Sequence, residues 1–271
     1  MPELPEVETT RRGLLPHVVG RSIQDVVVRN PNLRWPVPKD LRRRLRGERI
    51  RDVRRRGKYL LFDFPRGHLL VHLGMSGRLT VVPAKTAPRK HDHVDLVLDD
   101  GKALRFNDAR RFGTVLWLDT PAEEHALLRD LGMEPLEPSF NGAALHASAK
   151  GRRVSVKQFL MNGAIVTGVG NIYASEALFH AGIHPSRSAG RISAPRWERL
   201  ADSVRRTLER AIDSGGSTLR DFVSAEGRPG YFQHRHAVYG REGKPCPACA
   251  KPIRTLRQGQ RSTFFCPGCQ K

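Results

Sequence analysis

The apolar positions at the start of the chain recur at helical spacing and then change to a shorter period. Leu4–Val18 opens with Pro5 and Glu6, which suit a first helical turn, and its apolar residues follow one helical face. From about residue 23 to residue 118, short apolar runs alternate with Gly, Pro and Asp-Gly punctuation, which predicts strands. The predicted strands are Ile23–Val28, Tyr59–Phe64, Leu69–Leu73, Val94–Leu98 and Val115–Leu118. This half is therefore expected to be a β-sandwich or barrel with one long N-terminal helix.

The second half of the chain returns to helical periodicity. A stretch rich in Gly and Pro, at 131–142, predicts a linker before it. The predicted helices are Ala143–Ala149, Val154–Met161, Asn171–Ala181 and Pro195–Ser214. We predict an α+β fold with a β-sandwich domain at 1–130, a linker at 131–142, a helical domain at 143–240 and a small metal-binding module at 241–271.

The net charge of the chain indicates which class of molecule it is expected to bind. Lys and Arg total 47 against 27 acidic residues, which gives a net charge of +20 and a sequence pI near 10.9. Such a surplus favours a polyanion, with nucleic acid as the first candidate and an anionic membrane as the second. An arginine-rich genome would also produce this composition. The sequence has no basic amphipathic helix, lipidation site, apolar membrane span or secretory signal, and we expect a cytoplasmic protein.

All four cysteines lie in the last 26 residues, as two C-x2-C pairs with sixteen residues between them. Two residues between ligands let one tight turn direct both thiolates at a single ion, and two such turns complete a tetrahedral site. The pattern predicts one structural zinc ion held by Cys246, Cys249, Cys266 and Cys269. Two disulfides, a redox pair or a four-cysteine iron site are the alternatives.

The first residues carry candidate chemistry. Methionine before a small second residue is normally removed, which would leave Pro2 as the N-terminus. Its secondary amine would be neutral in a useful fraction near pH 8 and could attack a sugar C1′ to form an iminium. Glu3 would lie beside it as an acid or base. Judged alone, the same residues could simply begin a helix.

Several motifs occur in the order of one known family. Pro2–Glu8 resembles the opening of the formamidopyrimidine-DNA glycosylase family, and the resemblance extends over essentially the whole chain. The other matching segments are Gly57–Leu60, Leu73–Arg78, Lys90–His93, Arg110–Gly113, Gly168–Ala174 and Gln260–Phe264. The resemblance implies a helix–two-turn–helix element in the helical domain, a zinc finger and a bifunctional DNA glycosylase and AP lyase of base-excision repair.

The resemblance also implies catalytic roles. Pro2 matches the Schiff-base nucleophile, and Glu3 matches a proton donor that helps open the deoxyribose ring. Glu6 matches a supporting carboxylate. Lys58 matches a lysine that assists β-elimination and contacts phosphate, and Arg261 matches a zinc-finger arginine that grips phosphate and is linked to δ-elimination.

A further set of matches implies DNA contacts. The phosphate clamp would comprise Lys58, His91, Arg110, Arg152, Asn171 and Arg261, with Arg152 aligned only loosely. Met75, Arg110 and Phe112 match a wedge that fills the space of a flipped nucleotide, although Met75 and Phe112 could instead be core residues. Lys157 and Thr218 match positions linked to recognition of the damaged base, with Thr218 in a glycine-rich stretch that resembles a covering loop.

These matches predict a monomer that acts on duplex DNA containing oxidised purines or abasic sites. Asn162 departs from the pattern, since the family more often has aspartate there. The related endonuclease VIII branch, which prefers oxidised pyrimidines, is one alternative. A non-catalytic zinc-finger DNA-binding protein is the other.

Overall fold

The computed structural model describes residues 2–215 and 236–271. The described residues form two compact units, one ending at Arg129 and the other comprising Asp130–Asp213 together with 236–271. Both helices and sheets are present, so the predicted α+β class is confirmed. The finer division into four parts, including a linker at 131–142, stays a prediction. No helix among the described residues is long and apolar enough to span a bilayer.

The first unit begins with helix α1, Leu4–Val18, with the predicted bounds. Glu3 is the N-cap, and its carboxylate and that of Glu6 form a reciprocal capping box with the backbone of the first turn. The apolar stripe that predicted the helix is buried, with Leu4 and Leu14 fully inaccessible to solvent. The N-terminal capping box and the buried apolar face therefore both favour a helix over these residues.

Eight strands follow and form two four-stranded antiparallel sheets, with orders β1-β6-β7-β5 and β2-β3-β4-β8. Buried residues of both sheets share one apolar core, which confirms the sandwich. A short helix, α2 (Leu41–Leu45), follows β1. The strands are β1 (Ile23–Val28), β2 (Asp52–Arg56), β3 (Tyr59–Phe64), β4 (Gly67–His72), β5 (Arg78–Pro83), β6 (Asp92–Leu98), β7 (Lys102–Asn107) and β8 (Thr114–Leu118).

Three of these strands were not predicted from the sequence. In β2 only Val53 is buried and three arginines follow it, so the strand has no apolar alternation of its own. It forms because each of its residues pairs with β3. One of the Asp-Gly pairs that punctuate the predicted strands forms the turn between β6 and β7, where Gly101 has φ +78°.

The second unit contains the four predicted helices: α3 (Gly142–Ala149), α4 (Val156–Leu160), α5 (Asn171–His180) and α6 (Ala194–Asp213). Both α3 and α5 pack on α6. The apolar face of α6, from Trp197 through Leu200 and Val204 to Leu208, is buried. Helix α4 begins two residues later than predicted because Ser155 caps it by accepting the backbone N–H of Gln158.

The chain ends in a two-stranded hairpin, β9 (Arg254–Gln258) and β10 (Arg261–Phe265). Its apolar cluster joins Phe179 of α5 to Val238, Ile253 and two of the cysteines. The buried carboxylate of Glu176, also on α5, accepts three backbone N–H groups from 237–239 at 2.8–3.0 Å. Helix α5 therefore anchors the C-terminal hairpin to the helices of this unit.

Candidate active site and zinc centre

Pro2 and Glu3 lie buried at the start of α1, with Glu3 only 3% exposed. The backbone N–H of Glu3 donates to Glu6 Oε2 at 2.8 Å, and Glu6 is fully buried. The capping box therefore fixes the backbone that carries the predicted nucleophile and proton donor. Glu6 therefore holds the backbone of the first turn of α1, and its supporting role in catalysis stays a prediction.

Lys58 occupies the two-residue turn that joins β2 to β3. Gly57 takes the first turn position at φ +57°, and the flanking residues pair across the hairpin. Arg55 Nη1 donates to the carbonyl of Gly57 at 3.0 Å, and Arg55 Nε donates to Glu8 Oε2 at 3.2 Å. The Lys58 turn is thus tied to α1, the helix that directly follows Pro2 and Glu3.

The carboxylate of Glu8 on α1 is surrounded by several arginines. Burial opposes ionisation of its carboxyl group, but hydrogen bonds and charges from Arg11, Arg12 and Arg55 hold its pKa below the ordinary value. The carboxylate is therefore charged at neutral pH and holds Arg55 in place. Sequence reasoning missed Glu8 because its partner on β2 is 47 residues away.

His72, at the end of β4, is a second residue of this neighbourhood that sequence reasoning missed. Burial, followed by the charges of Lys58 and Arg34, lowers its pKa to about 4. The ring is therefore neutral near pH 7, packs against Tyr59 with 4.7 Å between ring centroids, and accepts the N–H of Gly74 at Nδ1. No sequence motif marks His72, and only its position near Lys58 in the folded protein indicates its importance.

The two segments predicted to form the DNA wedge contact each other. Phe112 is 41% exposed, so the alternative that it is a core residue is wrong, and Met75 is only partly buried. The guanidinium of Arg110 lies 4.8 Å from the Phe112 ring centroid, within cation–π range. A Cβ on Gly74 would lie 2.5 Å from backbone atoms of Phe112 and Gly113, so only glycine allows this approach.

His91 precedes β6 with a strained φ of +77°, and its ring makes an edge contact with buried His93. Arg152 in the second unit is exposed, donates to Ser148 O and lies near the Phe159 ring. Neither contact tests a role in DNA binding. Thr218 and its loop lie outside the described residues.

The second unit brings Asn171 and Lys157 together, and Arg261 lies in the hairpin that both residues contact. Asn171 is the first residue of α5, and its Nδ2 donates to the carbonyl of Ser262 at 3.0 Å. Lys157 is 1% exposed and donates from Nζ to Asn171 Oδ1 and Thr263 Oγ1 at 2.6 and 2.7 Å. Arg261, exposed at the start of β10, is adjacent in sequence to Ser262. A buried ammonium group therefore joins the α5 N-terminus to the hairpin that carries Arg261.

The four cysteines gather at the base of this hairpin. Their Sγ atoms all lie within 4.8 Å of one another, with Cys246–Cys269 at 3.8 Å and Cys249–Cys266 at 3.4 Å. A tetrahedral zinc ion with bonds of about 2.3 Å requires sulfur separations of about 3.8 Å. The cysteines, all within the described residues, form no disulfide. The donor set fits one structural zinc ion.

The surroundings of the cysteines support the same conclusion. A Cβ on Gly268 would approach Cys249 Sγ to 3.0 Å, so glycine leaves room for the knuckle. Burial and hydrogen bonds from the three other cysteines raise the pKa of Cys269 to about 12. A bound cation would displace that proton and supply folding energy to the hairpin. Four thiolates leave the ion no position for a substrate, so its role is structural.

These features define a zinc-containing α+β protein with a basic surface, a buried N-terminal proline–glutamate pair and a helical unit tied to a zinc hairpin. Three family models match the chain in order. They describe the formamidopyrimidine-DNA glycosylase N-terminal domain at residues 1–115, its H2TH domain at 131–223, and the zinc finger found in FPG and IleRS at 243–271.

Relatives match over the full length. A formamidopyrimidine-DNA glycosylase of Methylococcus capsulatus is 56% identical over 271 residues, covering both chains completely, and one of Paraburkholderia phymatum is 57% identical over 277 residues, with the same coverage. The crystal structure of MutM (Fpg) from Thermus thermophilus has a TM-score of 0.88 at 41% identity, covering 99% of this chain and 98% of that one. A complex of Lactococcus lactis Fpg with abasic-site DNA has a TM-score of 0.92 at 33% identity, covering 99% of each.

The chain belongs to the formamidopyrimidine-DNA glycosylase family. As a member of this family it is a DNA glycosylase of base-excision repair that acts on damaged bases, and it carries a zinc finger. The predicted family, enzyme class and zinc ion are confirmed. The roles of individual residues stay predictions.

Proposed function

We propose that this chain excises oxidised purines, 8-oxoguanine and formamidopyrimidines, from duplex DNA and then cleaves the abasic strand through a Schiff base on Pro2. The observation that carries this proposal is the buried Pro2–Glu3 pair, whose backbone is fixed by Glu6. A nucleophile held at a helix start loses little conformational freedom when it attacks, which favours reaction.

In the proposed reaction the Pro2 nitrogen forms a bond to C1′ of the damaged nucleotide, and the glycosidic bond breaks as the base departs with its electron pair and gains a proton. Glu3 supplies a proton to the deoxyribose ring oxygen, and the ring opens to an iminium. Loss of a C2′ proton then breaks the C3′–O bond, and a second elimination breaks the C5′–O bond. Water then hydrolyses the remaining iminium, which breaks the bond between C1′ and the Pro2 nitrogen and releases the unsaturated sugar fragment. The DNA product is a one-nucleoside gap with a phosphate at each end.

The other residues have proposed roles in holding the DNA. Lys58 contacts phosphate and assists the first elimination, and Arg261 grips phosphate and assists the second. His91, Arg110, Arg152 and Asn171 clamp the backbone, while Met75 and Phe112 fill the gap left by the flipped nucleotide. Lys157 and Thr218 keep their proposed link to recognition of the damaged base. The zinc ion stabilises the hairpin that presents Arg261.

We propose that the protein is a cytoplasmic monomer that associates with the nucleoid by binding DNA. The alternative substrate class is oxidised pyrimidines, because one related structure is a complex of Lactococcus lactis Fpg with DNA containing an oxidised pyrimidine. Another is a complex of a Lactococcus lactis Fpg mutant with DNA containing Fapy-dG.

Borohydride trapping tests the proposal. Zinc-loaded protein lacking Met1 is incubated with a duplex carrying 8-oxoguanine opposite cytosine, and the adduct is mapped by mass spectrometry. We expect an adduct on the Pro2 peptide, and Pro2→Gly should lose base excision while keeping its zinc. An adduct only with an oxidised pyrimidine would move the protein to the endonuclease VIII specificity. No adduct with either duplex would refute the covalent mechanism.

A further inference from the structure

Asp108, which follows β7 and is fully buried, links the two segments of the proposed wedge. Its Oδ1 accepts the hydroxyl of Ser76 at 2.7 Å and the backbone N–H of Arg110 at 3.2 Å. Its Oδ2 accepts the backbone N–H of Gly113 at 2.8 Å. One carboxylate therefore holds the residue after Met75 and both ends of the Arg110–Gly113 segment.

The backbone of Asp108 connects a third DNA-contact candidate. Its N–H donates to the carbonyl of His91 at 3.0 Å, and its own carbonyl accepts Nε2–H of buried His93 at 2.7 Å. The strained backbone of His91 is thus fixed from the same position. The hydrogen bonds of Asp108 therefore reach both wedge segments and the residues around His91.

The two wedge segments also contact each other directly. The Ser76 hydroxyl accepts the Arg110 N–H at 3.2 Å while it donates to Asp108, and Gly74 lies against Phe112 and Gly113. A shift of either segment would break the contacts that join the two segments. The backbone segments that carry Met75 and Phe112 are therefore held together.

A carboxylate suits this position, because the side chain must accept several hydrogen bonds. All three groups facing it are donors, and an ionised carboxylate accepts on both oxygens. An amide of the same size would turn an NH2 group toward one of these donors. A buried donor left without an acceptor destabilises the local arrangement.

We infer that Asp108 is the positioning residue that holds the Met75 and Arg110–Phe112 segments in register for insertion into DNA. This inference rests on the proposed function. Extruding a paired, stacked base depends on filling its space at once, whereas an abasic site has no base to extrude. Loss of the Asp108 carboxylate should therefore slow excision of a paired lesion more than cleavage of a preformed abasic site.

The test uses the full-length, zinc-loaded enzyme and two DNA duplexes, one with 8-oxoguanine opposite cytosine and one with a preformed abasic site. Asp108→Asn should slow single-turnover excision about tenfold or more, while abasic-site cleavage changes less than about threefold. Ser76→Ala removes only the hydroxyl bridge and should change the same ratio in the same direction by less. It keeps the inference testable if Asp108→Asn folds poorly.

Asp95→Asn is the matched control. Asp95 is also buried in the sandwich, but its carboxylate pairs with Arg29 and Arg105 in the sheet rather than with the wedge. We expect it to lower the thermal unfolding temperature without changing the ratio of excision to abasic-site cleavage. The same ratio change in Asp95→Asn would show that general destabilisation, not positioning, causes the effect.

A double-mutant cycle tests whether Asp108 acts through the wedge. In a Met75→Ala background, Asp108→Asn should slow excision much less than in the wild type, because the side chain it positions is already absent. Full additivity, or an unchanged ratio in Asp108→Asn, would overturn the inference. Failure of the wild type to form the Pro2 adduct would instead overturn the proposed function, whatever Asp108→Asn does.

Discussion

His72 should make the folded first unit sensitive to mild acid. Its pKa is about 4 in the folded protein, against about 6.5 for an unperturbed histidine, because burial and the charges of Lys58 and Arg34 oppose protonation. Between these two values the unfolded chain binds a proton that the folded chain does not. The free energy of unfolding must therefore fall as the pH falls from about 6.5 to about 4.

The pKa difference sets the size of the effect. A depression of about 2.5 units corresponds to roughly 3 kcal/mol once the pH reaches the folded pKa, at about 1.4 kcal/mol per unit. At pH 5 the loss relative to pH 7.5 is about 2 kcal/mol, since the unfolded histidine is then almost fully charged and the folded one is still neutral. This is a large part of the stability of an ordinary domain, about 5–15 kcal/mol.

The assay compares urea unfolding of the wild type and His72→Asn at pH 7.5 and pH 5. An asparagine Oδ1 can replace Nδ1 as the acceptor for the Gly74 N–H, while the lost contact with Tyr59 lowers stability equally at both pH values. We expect the wild type to lose about 2 kcal/mol more than the variant between the two pH values. Proton binding by the zinc cysteines cancels because both proteins share it.

Equal losses in the two proteins would refute the reasoning, since they would show that His72 titrates alike in the folded and unfolded chains. A larger loss in His72→Asn would reverse the sign and would mean that the folded protein stabilises the charged ring.

Three further outcomes are expected. Cys249→Ala should lose zinc, measured by mass spectrometry, and bind duplex DNA more weakly; unchanged metal content would contradict the four-thiolate site. Glu8→Gln should weaken the bond that ties Arg55, and with it the Lys58 turn, to α1, and so slow strand cleavage at an abasic site while zinc content stays the same; normal cleavage would show that the turn needs no such tie. Affinity for duplex DNA should fall steeply with salt as phosphate contacts release counterions, and a flat response would argue against a phosphate clamp.

The first helix and the strands with apolar runs of their own could be predicted from sequence because their signals are local. The bounds of α1 follow from the capping residues and the apolar stripe, which both lie within the segment. β2 could not be predicted in this way, because its arginine-rich sequence becomes a strand only by pairing with β3.

The site shows the same division. Pro2, Lys58 and the cysteines could be selected from motifs, whereas Glu8 and His72 matter through neighbours distant in the chain. The spacing of motifs does not predict which polar groups become neighbours once the two sheets pack together. Burial, which shifts the pKa of His72, is likewise a property of the packed sandwich.

Sequence alone was enough to identify the helices, the strands that carry their own apolar pattern, the metal ligands and the family, since each depends on residues close together in the chain or on motif order. Three features depend on tertiary packing: Asp108 bonds Ser76, which is 32 residues away in sequence, Lys157 is buried between α5 and the zinc hairpin, and Phe112 is exposed. The physical reason is that hydrogen bonds and desolvation depend on distances in space, which are set only when separate elements pack against one another.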